Sequence, residues 1–210
     1  MIFRSKAPLR IGLAGGGTDV SPYCDLYGGA ILNTTISHAA YASIETLDAN
    51  KIIVETLDRK EKQEFSWDTI LPIDGELNLL KGVYNRIQKD YGIKKCGIRL
   101  STFVDAPAGS GLGTSSTLVV AILGAFIEML RLPFSQYDAA HYAYDIERNN
   151  LQLAGGRQDQ YAATFGGVNY MEFYEEDKVI VNPMRIKSEY LSELENNLVL
   201  FYTASSRESA

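Results

Sequence analysis

The chain has 210 residues, 46% of them apolar, enough for a packed core in one large domain or two small ones. Its net charge of -6 argues against a nucleic-acid or membrane-surface binder, either of which needs an extended basic face. Two distant cysteines, Cys24 and Cys96, and two histidines, His38 and His141, make neither a disulfide framework nor a zinc set; Met1–Arg10 holds no apolar signal region, and a cytosolic protein is expected.

In chain order, residues 2–14 predict a strand interrupted at Pro8, followed by a turn at Gly15-Gly16-Gly17-Thr18-Asp19 and a segment marked by Pro22. A triple glycine implies close backbone approach. Arg10 and Asp19 flank it with opposite charges, and Arg4, Lys6 and Arg10 form a basic cluster in an acidic chain. Two readings of this segment stand side by side: a functional pair, or a helix-capping Asp19 with a surface Arg10. Gly28–Ser37, His38–Leu47 and Lys51–Leu57 predict three successive strands rich in Ile, Thr and Val, with a charged solvated turn over Asp58–Glu64. Leu77, Leu80, Val83, Tyr84 and Ile87 follow helical spacing, and Gly92 ends that helix. From Cys96 to Val104 apolar and other residues alternate, which predicts a strand with one buried face.

The stretch Asp105-Ala-Pro107-Ala-Gly109-Ser110-Gly111-Leu112-Gly113-Thr114-Ser115-Ser116 links that strand to a helix so apolar, through Leu130, that it must be buried nearly all round. Glycines at every second position uncover backbone N–H groups, and at a helix start these make an anion site, most readily for phosphate. A Walker A loop needs a Lys after its last Gly, and no Lys occurs between Lys95 and Lys178. The dinucleotide fingerprint needs Gly where Thr114 stands and a second strand beyond. What remains is a loop that holds phosphate by amides and hydroxyls and leaves much of the charge to a metal ion. A plain glycine turn is the bland reading; Ser115 and Ser116 in the first helical turn favour the phosphate site.

Ser135-Gln-Tyr-Asp138 has capping-box form and opens a helix with Ala139, Ala143 and Glu147 on one stripe. Glu147 stands near the end of that helix, where the dipole disfavours a carboxylate; it reads either as the partner of Arg148 or as a metal ligand. After Gly155-Gly156, residues 157–167 predict a short helix with Asp159 in its first turn, an ordinary place for an acid. Strands are expected at Gly167–Phe173, Lys178–Asn182 and Asn197–Thr203, with a polar helix around Glu189–Glu195.

In this order the pieces resemble the GHMP small-molecule kinases, the superfamily of galactokinase, homoserine kinase, mevalonate kinase and phosphomevalonate kinase. Pro107–Ser116 is similar to the family's P-x-x-x-G-L-G-S-S loop, with Thr114 replacing the first Ser, and Ala7–Arg10 through Gly17-Thr18-Asp19 is similar to its first motif. The string Pro8–Asp19 resembles the sugar branch that phosphorylates the anomeric hydroxyl of D-glycero-D-manno-heptose 7-phosphate; a kinase for another sugar such as fucose, or a non-catalytic nucleotide- or sugar-binding relative, are the alternatives.

The resemblance implies an α/β (α+β) fold with an N-terminal lobe like domain 2 of ribosomal protein S5 over residues 1–196. Residues 197–210 would begin a ferredoxin-like C-terminal lobe that the chain largely lacks. It implies ATP and Mg2+ as cofactors and a sugar phosphate as the other partner, with Pro107, Gly109, Ser110, Gly111, Leu112, Gly113, Thr114, Ser115 and Ser116 on the ATP phosphates. Ser115 and Glu147 would hold the metal, Asp159 and Arg10 would be catalytic, and Asp19, Gly16, Gly17, Thr18 and Lys6 would face the substrate. Lys6, Arg4 and Arg157 are candidates for the sugar's own phosphate.

Overall fold

The structure is a computed structural model that describes residues 1–67, 69–93 and 96–201. Its elements in chain order are β1 (Ile2–Ala14), α1 (Tyr23–Tyr27), β2 (Gly29–Leu47), β3 (Lys51–Thr56), β4 (Glu61–Ser66), α2 (Asn78–Tyr91), β5 (Gly97–Val104), α3 (Thr114–Leu130), α4 (Gln136–Asp145), α5 (Gln158–Phe165), β6 (Val168–Phe173), β7 (Val179–Pro183) and α6 (Ser188–Asn197). One sheet holds all these strands, in the order β4-β3-β5-β2-β6-β7 with β1 also on β2, and helices pack against it in a mixed α/β arrangement.

β2 is the axis. It runs 19 residues without the break expected between Ser37 and His38, because both its edges are paired. β1 lies antiparallel along one edge, from Ile2 opposite Glu45 to Ala14 opposite Leu32. The other edge is shared end to end, with β6 opposite residues 29–34 and β5 opposite residues 40–47. Pro8 does not interrupt β1: the strand passes through it, and the register shifts between Pro8 and Arg10. An irregularity of this kind re-aims the side chain beside it, here that of Arg10.

β4 occupies most of the segment expected to be a solvated turn. Its residues are charged because it is an edge strand, paired only with β3, where exposed charge is tolerated and discourages further pairing. The true turn is the shorter one at 57–60.

α3 is the core helix, as its composition required: Val119, Ile122, Leu123 and Phe126 are fully buried. It rests on β1 and β2 and is surrounded by α2, α4 and α5. This arrangement puts the start of α3, the start of α5 and the second half of β1 at one end of the helical layer. Of the strand expected at Asn197–Thr203, Asn197 ends α6 and residues 198–201 carry no strand, there being no described neighbour to pair with; residues 202–203 lie outside the described residues. Among the described residues no helix is long and apolar enough to cross a membrane.

Candidate active site

The glycine loop has the backbone its sequence demands. Gly109, Gly111 and Gly113 take φ of 72°, 77° and 75°, the left-handed region that other residues rarely adopt. Gly113 is the N-cap of α3, so the free N–H groups of the first turn are presented with the positive end of the helix dipole behind them. Pro107 and Gly111 are exposed and Leu112 is buried, anchoring the loop. The two serines part company: Ser115 is exposed at the mouth of the helix, whereas Ser116 is buried and turns inward.

Three distant segments meet on this loop. Arg10 gives to the loop twice: its backbone N–H donates to the carbonyl of Leu112 at 3.2 Å, and Nη1 donates to the carbonyl of Gly111 at 2.7 Å. Its Nε donates to Oδ1 of Asp159 at 2.6 Å, in a pair whose side chains are only 16% and 23% exposed. A Cβ placed on Gly113 would sit 3.1 Å from the Asp159 carboxyl and 3.4 Å from Arg10 Nε, so loop and ion pair touch with no room for a side chain between them. Among the described residues Oδ2 of Asp159 accepts no hydrogen bond from the protein.

Behind the loop lies a buried polar group. α4 runs into a π-helical turn, Ile146–Asn150, and Glu147 on that turn is 1% exposed. Ser116 donates to its Oε1 at 3.0 Å, and Nε2 of Gln160 donates to its Oε2 at 2.5 Å and to Ser116 Oγ at 3.1 Å. Burial pushes the Glu147 carboxyl above its ordinary range, against the opposing pull of Arg148 and of the two hydrogen bonds. Arg148, the partner in one of the two readings of Glu147 that the sequence offers, stands 4.0 Å from Oε1 and gives its Nη groups to the carbonyls of Leu153 and Gly156.

Asp19 is a helix cap, but of a helix far along the chain. It is 5% exposed, and its Oδ2 accepts from the N–H of Gln158, the first residue of α5, at 2.8 Å. The glycine turn before it is pinned by Thr18, whose Oγ1 donates to the carbonyl of Gly15 at 2.7 Å. The close approach foreseen there falls at Gly15, where a Cβ would lie 1.9 Å from the carbonyl oxygen of Ala30; Gly16 and Gly17 are exposed. Gly156 faces the carboxyl of Asp19 so closely that a Cβ would stand 2.0 Å from Oδ2. Gly156→Ala should therefore expel Asp19 from the start of α5 and cost about 0.5–2 kcal/mol, the value of a lost cap, measurable by urea unfolding.

Lys6, Arg4 and Arg157 do not join this group. Lys6 and Arg4 are exposed, on the side of β1 opposite Ala7 and Leu9, and Lys6 Nζ lies 5.5 Å from the ring centre of Tyr41. Arg157 is 4% exposed and committed to Asp177 at 2.6 Å, Asp25 at 3.4 Å and the carbonyl of Tyr174 at 2.8 Å, which ties α5 to α1 and to the β6–β7 turn.

Sequence reasoning passed over Ser116 as a partner of Glu147 and missed Gln160 and Lys81. Lys81 is fully buried, its ammonium held by Asp74 and by Gln63 at 3.2 Å. It fastens the chain before α2 that walls a cleft of about 290 Å³ beside Ser115, lined also by Arg59, Asn78, Leu118, Leu151 and Leu153. A larger cleft of about 440 Å³ lies on the outer side of α2, between Ile70, Ile73, Arg86 and Lys89, and none of the loop residues lines it. The smaller cleft is the one placed for chemistry at the loop.

Whether these residues suit Mg2+ can be judged from their donors. Among the described residues no set of three or more His, Cys, Asp or Glu could hold a metal alone. One carboxylate, Glu147, meets Ser116 in the first turn of α3, Ser115 stands exposed at the mouth of the same turn, and Oε1 of Gln160, whose amide touches Glu147, is buried without a partner among the described residues. Mg2+ on a nucleotide takes one or two protein carboxylates and completes its shell with phosphate oxygens and water, so this sparse set fits.

The model for the GHMP kinases N terminal domain matches residues 78–167, which hold the glycine loop, Glu147 and Asp159. The D-glycero-alpha-D-manno-heptose 7-phosphate kinase of Campylobacter jejuni is 50% identical over 206 residues, 98% of this chain and 61% of that protein. A crystal structure of a D-glycero-D-manno-heptose 1-phosphate kinase from Bacteriodes thetaiotaomicron superposes with a TM-score of 0.89 at 55% identity, over 93% of this chain and 63% of that one. The Lactococcus lactis galactokinase structure shares the fold, with a TM-score of 0.71 at 21% identity over 95% of this chain and 58% of that one. The chain thus spans about three fifths of the length of these relatives. The loop geometry, the matched segment and these identities agree: residues 78–167 match the GHMP kinases N terminal domain, and the chain as a whole is similar to heptose-phosphate kinases.

Proposed function

We propose that the protein is an ATP- and Mg2+-dependent sugar kinase of the cytoplasm. It transfers the γ-phosphate to the anomeric hydroxyl of D-glycero-D-manno-heptose 7-phosphate and yields the 1,7-bisphosphate. The observation that carries this reading is the Arg10–Asp159 pair seated on a loop of three left-handed glycines. The names of the two similar proteins agree on the heptose and differ in the phosphate, 7 in one and 1 in the other, so the acceptor position is a matter for experiment.

The roles follow from which atoms remain free. The amides from Gly109 to Ser115 receive the phosphates, and the cleft beside Ser115 takes the rest of the nucleotide. Arg10 spends Nε and Nη1 on Asp159 and Gly111, leaving Nη2 for the phosphoryl group in transfer. Asp159 spends Oδ1 on Arg10 and keeps Oδ2 to accept the proton of the attacking hydroxyl. Asp19, with Gly16, Gly17 and Thr18 around it, contributes the sugar side, and Ser115 and Glu147 would hold Mg2+. When bound, that ion offsets phosphate charge which the loop, having no Lys, leaves uncompensated.

The test is incubation with ATP, Mg2+ and a panel of D-glycero-D-manno-heptose 7-phosphate, L-fucose and D-galactose, followed by phosphorus NMR of the products. A new anomeric phosphate from the heptose alone is the expected result. Turnover of another sugar would reassign the substrate, and ATP binding with no product from any sugar would make the protein a non-catalytic relative.

A further inference from the structure

Gln160 is fully buried, stands next to Asp159 on α5 and touches the carboxylate assigned to the metal. Its Nε2 reaches both Glu147 Oε2 and Ser116 Oγ, and Ser116 in turn donates to Glu147 Oε1, so the three side chains close a ring in which each carboxylate oxygen has one donor. Its Oε1 is buried with no partner among the described residues. An unpaired buried acceptor is unfavourable, and an apolar side chain of the same length would avoid it. Packing alone thus gives no reason for an amide here; its donor end does.

We infer that Gln160 is a positioning residue, which fixes the Glu147 carboxylate against Ser116 and locks the start of α3 to the helix that carries Asp159. This rests on the kinase reading above. Adjacent residues of α5 then serve the two halves of the site: Asp159 faces Arg10 and the loop, and Gln160 faces the carboxylate assigned to the metal. Groups that orient a ligating carboxylate without touching the ion set how well it binds.

The test uses the intact protein and Gln160→Met, with AMP-PNP binding measured calorimetrically in Mg2+ and in EDTA. The expected result is that the gain in affinity brought by Mg2+ falls roughly 10–100-fold while the affinity in EDTA stays within about twofold, the pattern for loss of a ligand-orienting group. The Mg2+ concentration for half-maximal turnover should rise in step. An equal loss with and without Mg2+, or no loss, would reduce Gln160 to a packing residue and overturn the inference. If Gln160→Met does not fold, Ser116→Ala removes the other donor to Glu147; a smaller fall in the same Mg2+-dependent gain supports the ring, and an unchanged gain overturns it. Failure of the kinase reading is read separately, in the unsubstituted protein: no Mg2+-dependent gain there removes that reading and this role with it.

Discussion

Asp159→Asn should lower turnover by about 10²–10⁴-fold, the usual worth of a positioned proton acceptor, with nucleotide affinity essentially kept. The substitution keeps the shape of the side chain and an oxygen to accept from Arg10 Nε at 2.6 Å. It removes the negative charge of the pair and most of the proton affinity of the atom that faces the acceptor. Alanine would be a poorer test, because it also frees Arg10, which holds the loop through the carbonyls of Gly111 and Leu112. Rapid-quench measurement of a single turnover isolates the chemical step. A variant with unchanged turnover would take Asp159 out of the reaction and leave the Arg10 pair as a clamp on the loop.

Glu147→Gln should separate stability from activity in opposite directions. Burial raises the Glu147 carboxyl above its ordinary value of 4.5, so between the unfolded and the folded value the folded protein holds a proton that the unfolded chain has released. Its contribution to stability is fully present below the unfolded value and is lost as pH rises through the raised folded value. Glutamine keeps the size and cannot ionise. Gln160 Nε2 can still donate to the oxygen of the new amide, whose nitrogen can donate to Ser116 Oγ. The variant should therefore unfold at a higher temperature than the parent near neutral pH, with the difference shrinking below pH ~4. Its turnover at limiting Mg2+ should fall by roughly 10–100-fold or more, as for loss of a group at the metal. Lower stability together with normal Mg2+ dependence would mean that Glu147 is a structural carboxylate.

Much of this architecture was readable because it rests on local chemistry. The alternation through β5, the glycine spacing and the all-round apolar α3 each fix their own geometry, and the resemblance of Pro107–Ser116 and Pro8–Asp19 to known motifs covers the same two loops that meet in space. What escaped depends on neighbours that the sequence does not name. β2 looks like two strands until β1, β5 and β6 are seen to hold its full length, and β4 looks like a solvated turn because an edge strand is allowed to be charged. Asp19 reads equally well as a local helix cap, yet the helix whose N–H it accepts begins 139 residues later. Glu147 was noticed for its awkward place on α4, while its partners Ser116 and Gln160 lie 31 and 13 residues away and carry no local signal.

The central claim is that the bare amides from Gly109 to Ser115 grip a triphosphate in front of Arg10, Asp159 and Glu147. Crystallising the protein with Mg2+ and AMP-PNP tests it most directly. The β- and γ-phosphates should lie within hydrogen-bond distance of those amides, with Arg10 Nη2 turned to the γ-phosphate. A nucleotide seated in the cleft outside α2, or phosphates touching none of the loop amides, would contradict the account.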